Sequence, residues 1–142
     1  MSDQHLLRVL LVEDDENDVL FFQRALRALG ARLDLDIARD GEEAIRTLSA
    51  GDGRPLPDRI LLDLKLPRRS GIEVLSWIRS NPALKDLSVT IMTSSGEPSD
   101  LARIQQLGID EYILKPVSYQ GLLEVVTALL KTWKIPTSPG GG

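Results

Sequence analysis

Two kinds of apolar pattern alternate along the chain. Short unbroken runs, several of them β-branched, stand at Val9-Leu10-Leu11-Val12, Ile60-Leu61-Leu62, Val89-Thr90-Ile91-Met92 and Tyr112-Ile113-Leu114. Such runs predict strands covered on both faces, as in a parallel sheet under helices. Leu33-Asp34-Leu35-Asp36-Ile37 alternates instead, which predicts a strand nearer the sheet edge with one wetter face. Between the runs the spacing turns helical. Val19, Phe22, Leu26 and Leu29 recur at steps of three and four until Gly30 stops them. Asp40-Gly41-Glu42-Glu43 and Ser70-Gly71-Ile72-Glu73 resemble capping boxes opening two more helices, the second ended by Asn81-Pro82. Pro98 suits a first helical turn before Leu101, Ile104, Leu107 and Gly108, and Ser118 caps a last helix through Leu122, Val126, Leu129 and Trp133.

The order is strand then helix, five times, which predicts an α/β fold: a five-stranded parallel sheet, doubly wound, with helices on both faces. One domain is expected over residues 7–134, after a leader at 1–6 and before a flexible Pro/Gly-rich tail at 135–142 that offers little to bury. The connection 49–58 is rich in Gly and Pro and predicts a solvent loop.

Composition narrows the chemistry. The 142 residues suit one domain, and the absence of cysteine removes disulfides, thiolate metal sites and cysteine nucleophiles. The single histidine, His5, lies in the polar leader, so a histidine triad or zinc site is not expected. A net charge of −4 does not favour nucleic acid or an anionic membrane. No apolar run approaches the ~20 residues of a membrane span, and no secretion signal opens the chain, so a cytoplasmic protein is expected.

The residues just past each buried run carry the chemistry. Glu13-Asp14-Asp15 stands after the first, Asp63 after the one at 60–62, Thr93-Ser94-Ser95 after the one at 89–92, and Lys115-Pro116 after the last. In an open parallel sheet ligands bind outside the carboxyl ends of the strands, where strand order reverses. Carboxylates, a hydroxyl and an ammonium would therefore meet in one cleft. Hard oxygen donors suit Mg²⁺, and a metal with a lysine can neutralise a phosphoryl group in transfer. Taken singly, each fragment also has an ordinary explanation: acids before a helix are caps, and a strand-end lysine is commonly solvated. A buried charge at Asp63 is harder to explain without a partner or a metal.

Together, Val12-Glu13-Asp14, Leu62-Asp63-Leu64-Lys65-Leu66-Pro67 with Gly71, Thr93-Ser94 and Lys115-Pro116 resemble the CheY-like receiver domains of two-component response regulators, over residues 7–133. The resemblance implies a flavodoxin-like (βα)5 fold with strand order 2-1-3-4-5. It implies a regulatory phosphoacceptor that assists its own phosphorylation and dephosphorylation rather than an enzyme acting on a separate substrate. Asp63 would accept the phosphoryl group. Glu13, Asp14, Asp63 and the backbone carbonyl of Lys65 would hold Mg²⁺. Thr93 and Lys115 would meet the phosphoryl oxygens, Thr93 and Tyr112 would form the switch, and Lys115–Pro116 would be a cis peptide. Lys65 and Ser95, each two positions past a site residue, would flank the path of the hydrolytic water. The implied donor is a sensor histidine kinase. The Asn81-Pro82-Ala83-Leu84-Lys85-Asp86-Leu87 connection and the loop before Asp58 resemble single-domain receivers paired with bacterial phytochrome kinases.

Output would pass through protein contacts or through relay to a histidine phosphotransfer protein. The last helix carries a second apolar stripe, Tyr119, Leu123 and Leu130, which serves either core packing or homodimerisation. Two other functions are weighed. One is a degenerate receiver that only binds protein. The other is a phosphatase of the haloacid dehalogenase type, whose second aspartate is replaced here by Lys65.

Overall fold

The structure, a computed structural model, describes residues 6–49, 53, 55–94 and 97–138. His5, Ser95, most of the leader and residues 139–142 lie outside them. Strand–helix units follow in order: β1 (Leu7–Val12), α1 (Glu16–Ala28), β2 (Leu33–Ala38), α2 (Gly41–Ser49), β3 (Arg59–Leu62), α3 (Gly71–Ser80), β4 (Ser88–Thr93), α4 (Pro98–Leu107), β5 (Glu111–Leu114) and α5 (Tyr119–Thr132). All strand pairs are parallel, in the order β2-β1-β3-β4-β5.

The period of two along β1 divides the core. Leu10 and Val12 join Ile60, Leu62, Ile91 and residues of α2, α3 and α4 on one face. Val9 and Leu11 join Leu61, Met92 and residues of α1 and α5 on the other. Both stripes of α5 meet this second core: Val126, Leu129, Leu130 and Trp133 are buried, and Tyr119, Leu122 and Leu123 pack against them half-buried. Among the described residues no helix is long and apolar enough to cross a membrane.

The predicted caps form. Asp15 accepts from the amides of Asn17 and Asp18, and Ser70 and Glu73 make a reciprocal box. At α2 the pattern shifts by one residue: Asp40 accepts from the Glu43 amide at 2.7 Å, while Glu43 reaches back to the Arg39 amide at 2.7 Å.

Three expectations need correction. Residues 112–114, expected to be buried on both faces, form part of the edge strand β5, with Glu111 and Leu114 exposed and Tyr112 and Ile113 half-buried. An apolar run cannot distinguish an edge covered on two sides only in part from a central strand. The Lys115–Pro116 peptide is trans, because no cis bond occurs among the described residues. Trans is the favoured isomer even before proline, and the Lys115 ammonium reaches the cleft without the alternative. Finally, the described part of the tail is held. Ile135 is buried, Arg32 N–H donates to Pro136 O at 3.0 Å, and Ser138 N–H donates to Gly30 O at 3.0 Å. Backbone hydrogen bonds do what the composition of the segment could not.

Candidate functional site

The reversal of strand order lies at β1 and β3, since β2 flanks β1 on one side and β3, β4 and β5 follow on the other. The residues that leave those strands therefore face a crevice. Backbone bonds continue the ladder past the strand ends and fix where they point. Glu13 N–H donates to Ala38 O at 2.9 Å, Asp63 N–H to Val12 O at 3.1 Å, and Lys115 N–H to Thr93 O at 2.8 Å. The result is a cleft of about 440 Å³ whose walls include Glu13, Asp14, Asp63, Lys65, Ser94 and Lys115.

Glu13, Asp63 and Thr93 are buried, while Asp14 stands at the exposed lip. Carboxylate oxygens of Glu13, Asp14 and Asp63 all lie within 4.8 Å of one another. Like charges this close need a counter-charge, and the Lys115 ammonium supplies one. It lies 2.8 Å from Glu13 Oε1, 2.8 Å from Asp63 Oδ2 and 2.8 Å from Asp18 Oδ2. Asp63 Oδ1 also accepts from the Lys65 amide at 3.1 Å, and Glu13 Oε2 from the Asp15 amide at 3.1 Å. These donors fix the orientation of both buried carboxyls.

The electrostatics follow from burial. Desolvation raises the Glu13 pKa from the ordinary 4.5 to about 7, with the Asp63 charge adding to the rise and the Lys115 hydrogen bond opposing it. Burial lowers the Lys115 pKa, but hydrogen bonds to Asp18, Asp63 and Glu13 outweigh it and leave the group above its ordinary value. The sign for stability is unusual for a carboxyl. Between pH 4.5 and about 7 the folded chain holds a proton on Glu13 that the unfolded chain has lost, so stability falls as pH rises through that window. Glu13→Gln is therefore expected to stabilise the metal-free protein above pH 7, with the gain vanishing toward pH 4.5. Urea melts at several pH values check it; a gain independent of pH would contradict the assignment.

Of the residues expected from sequence, Glu13, Asp14, Asp63 and Lys115 come together directly. Thr93 lies buried at the end of β4, and Lys65 lines the opening. Tyr112 sits on β5 opposite Ile91, half-buried against the α4-side core. Asp18 was not anticipated. Its position in the first turn of α1 has an ordinary explanation as a dipole-facing acid, and that hid it.

Comparison with known proteins agrees with this arrangement. The family model described as the response regulator receiver domain matches residues 9–127. A probable methanogenesis regulatory protein, FilR2 of Methanothrix harundinacea, is 35% identical over 127 residues, spanning 88% of this chain and 82% of the relative. Response regulator Rcp1 of Synechocystis is 34% identical over 128 residues, spanning 88% and 87%. The crystal structure of Rcp1 in its Mn²⁺-bound form superposes with a TM-score of 0.82 at 34% identity, covering 89% of this chain and 94% of that one. The crystal structure of the phosphorylated cyanobacterial phytochrome response regulator RcpA gives a TM-score of 0.85 at 32% identity, covering 93% and 99%. Fold, cleft and sequence thus lead to one assignment: the chain belongs to the response regulator receiver domain family.

Proposed function

We propose that Asp63 is the phosphoacceptor of a signalling switch. The observation that carries this is the buried Asp63 carboxylate at the end of β3, opening on the cleft, with Lys115 at 2.8 Å and the oxygens of Glu13 and Asp14 within 4.8 Å. A carboxylate oxygen of Asp63 attacks phosphorus of a phosphohistidine on a sensor histidine kinase. The P–N bond breaks, the imidazole leaves, and an acyl phosphate remains on Asp63. Glu13, Asp14, Asp63 and the Lys65 carbonyl form a hard-oxygen donor set that suits Mg²⁺. When bound, the ion would neutralise charge on the phosphoryl oxygens. Lys115 contributes a further positive charge, and the Thr93 hydroxyl would meet a phosphoryl oxygen. Movement of Thr93 would then reposition Tyr112 and alter the surface around α4, β5 and α5.

Incubation with acetyl phosphate and Mg²⁺, followed by intact-mass measurement, tests the reading. One base-labile phosphoryl adduct is expected on the wild type and none on Asp63→Asn. An unmodified wild type would sink the proposal and favour a degenerate receiver that only binds protein.

The relatives support a finer reading. RcpA is described as a phytochrome response regulator, and the Rcp1 structure holds Mn²⁺. A bacterial phytochrome kinase is accordingly our choice of donor, with Mg²⁺ as the working ion and output by protein contact or by relay to a histidine phosphotransfer protein. A phosphatase of the haloacid dehalogenase type is disfavoured by Lys65, which stands where those enzymes need an acid. Homodimerisation through α5 has less apolar surface to draw on, because both stripes of that helix reach the core. Light scattering with and without phosphorylation decides it.

Lys65 sets the lifetime of the phosphate in this reading. Its exposed side chain lines the cleft, where it can pair with the phosphoryl group and shield it from water. Lys65→Asn is expected to speed self-dephosphorylation several-fold, measured by loss of the adduct after removal of acetyl phosphate. An unchanged decay rate would refute this role.

A further inference from the structure

Lys115 has more partners than the phosphoryl chemistry requires of it. An ammonium has three donors. Here three carboxylates, those of Glu13, Asp63 and Asp18, each lie 2.8 Å from it. Glu13 and Asp63 belong to the cluster suited to a cation; Asp18 does not. The difference in burial is large. The side chains of Glu13 and Asp63 are 4% and 6% exposed, and that of Asp18 is 41% exposed, on the first turn of α1.

This division matters once charge enters the cleft. A cation on Glu13, Asp14 and Asp63, or a phosphoryl group on Asp63, draws on the oxygens that hold the lysine. The cation also repels the ammonium. The stem of Lys115 is flexible. Its neighbours Leu114 and Val117 are 58% and 105% exposed, so open water is close. Asp18 is then the carboxylate left to hold it.

We infer that Asp18 is a positioning residue, a tether on α1 that keeps the Lys115 ammonium in the cleft after Glu13 and Asp63 have been engaged. The geometry separates this from an ordinary first-turn acid. The Asp18 amide is already satisfied by Asp15 Oδ1 at 3.1 Å, and the Asp18 carboxylate is turned across to the lysine just past β5.

The inference rests on the phosphoacceptor reading of Asp63, and two measurements on the full chain keep them apart. The first is a double-mutant cycle on the rate of phosphorylation by acetyl phosphate at saturating Mg²⁺. Asp18→Asn is expected to slow the reaction about fivefold, and to add no further slowing in the Lys115→Met background. A wild-type rate in Asp18→Asn, or equal slowing in both backgrounds, overturns the tether. The second follows the Lys115 ammonium by ¹⁵N NMR and needs no phosphoryl transfer. Its slowly exchanging signal should survive Mg²⁺ addition in the wild type and disappear on Mg²⁺ addition in Asp18→Asn. Survival in the variant overturns the inference. A wild type that takes no phosphoryl group defeats the reading of Asp63 instead, and the NMR arm still decides the tether.

Discussion

Gly71→Ala is expected to abolish most phosphoryl uptake while leaving every charged group of the cleft in the sequence. A Cβ at position 71 would lie 2.2 Å from the Asp63 carbonyl oxygen and 2.6 Å from Leu64 Cα. Both are backbone atoms, so no rotamer change can make room. The start of α3 is also hydrogen-bonded there, Gly71 N–H donating to Leu64 O at 2.9 Å. Either α3 or the 63–64 segment must shift, and the second moves Asp63 away from Lys115. Overpacking of this kind costs about 1–3 kcal/mol, and more where only backbone can yield. A lower melting temperature should accompany at least a roughly tenfold slower reaction with acetyl phosphate. Wild-type values of both would show that the contact is not as tight as the geometry requires.

Arg79→Ala should produce a large loss of stability although the residue lies outside the apolar core. The guanidinium of Arg79 leaves the last turn of α3 and gathers three carbonyls. Its Nε and Nη2 donate to Gly108 O at 3.1 and 2.9 Å, and Nη1 donates to Lys85 O at 2.9 Å and to Leu87 O at 2.7 Å. Gly108 ends α4, and residues 85 and 87 lie on the approach to β4. One side chain thus joins three segments. Removing it strands two partly buried acceptors, Gly108 O and Leu87 O, each costing about 1–3 kcal/mol, and a total on the order of 4 kcal/mol is expected. For a domain of this size that is roughly 10–15 °C in melting temperature. Lysine should not rescue it, because a point charge cannot reproduce the planar fork that spans the three oxygens. Thermal and urea melts of Arg79→Ala and Arg79→Lys check both statements.

These two residues also show what sequence reading could reach. The strands were legible because burial on both faces leaves continuous apolar runs, and the site because its groups stand immediately after those runs. Gly71 was legible as part of a motif, but its reason, the 2.2 Å approach to the Asp63 carbonyl, appears only once α3 is seated on β3. Arg79 resembles any basic residue in the last turn of a helix, and a partner 29 positions away leaves no local trace. Asp18 was concealed by a sufficient local explanation. The held tail was concealed for the opposite reason, since composition speaks to side-chain burial and residues 136 and 138 are held through their backbone.

That tail has a practical consequence. Gly30, with φ +64, is approached so closely by Ser138 that an added Cβ would lie 2.7 Å from the Ser138 carbonyl oxygen. Residues 30–32 precede β2, so the clasp sits at the foot of the sheet, at the opposite end from Asp63. A fluorophore, surface linker or reporter protein attached beyond residue 138 would leave the molecule from that far end, with the acidic cleft unobstructed for a docking partner. The C-terminal side is accordingly the place to anchor this protein for single-molecule or biosensor work.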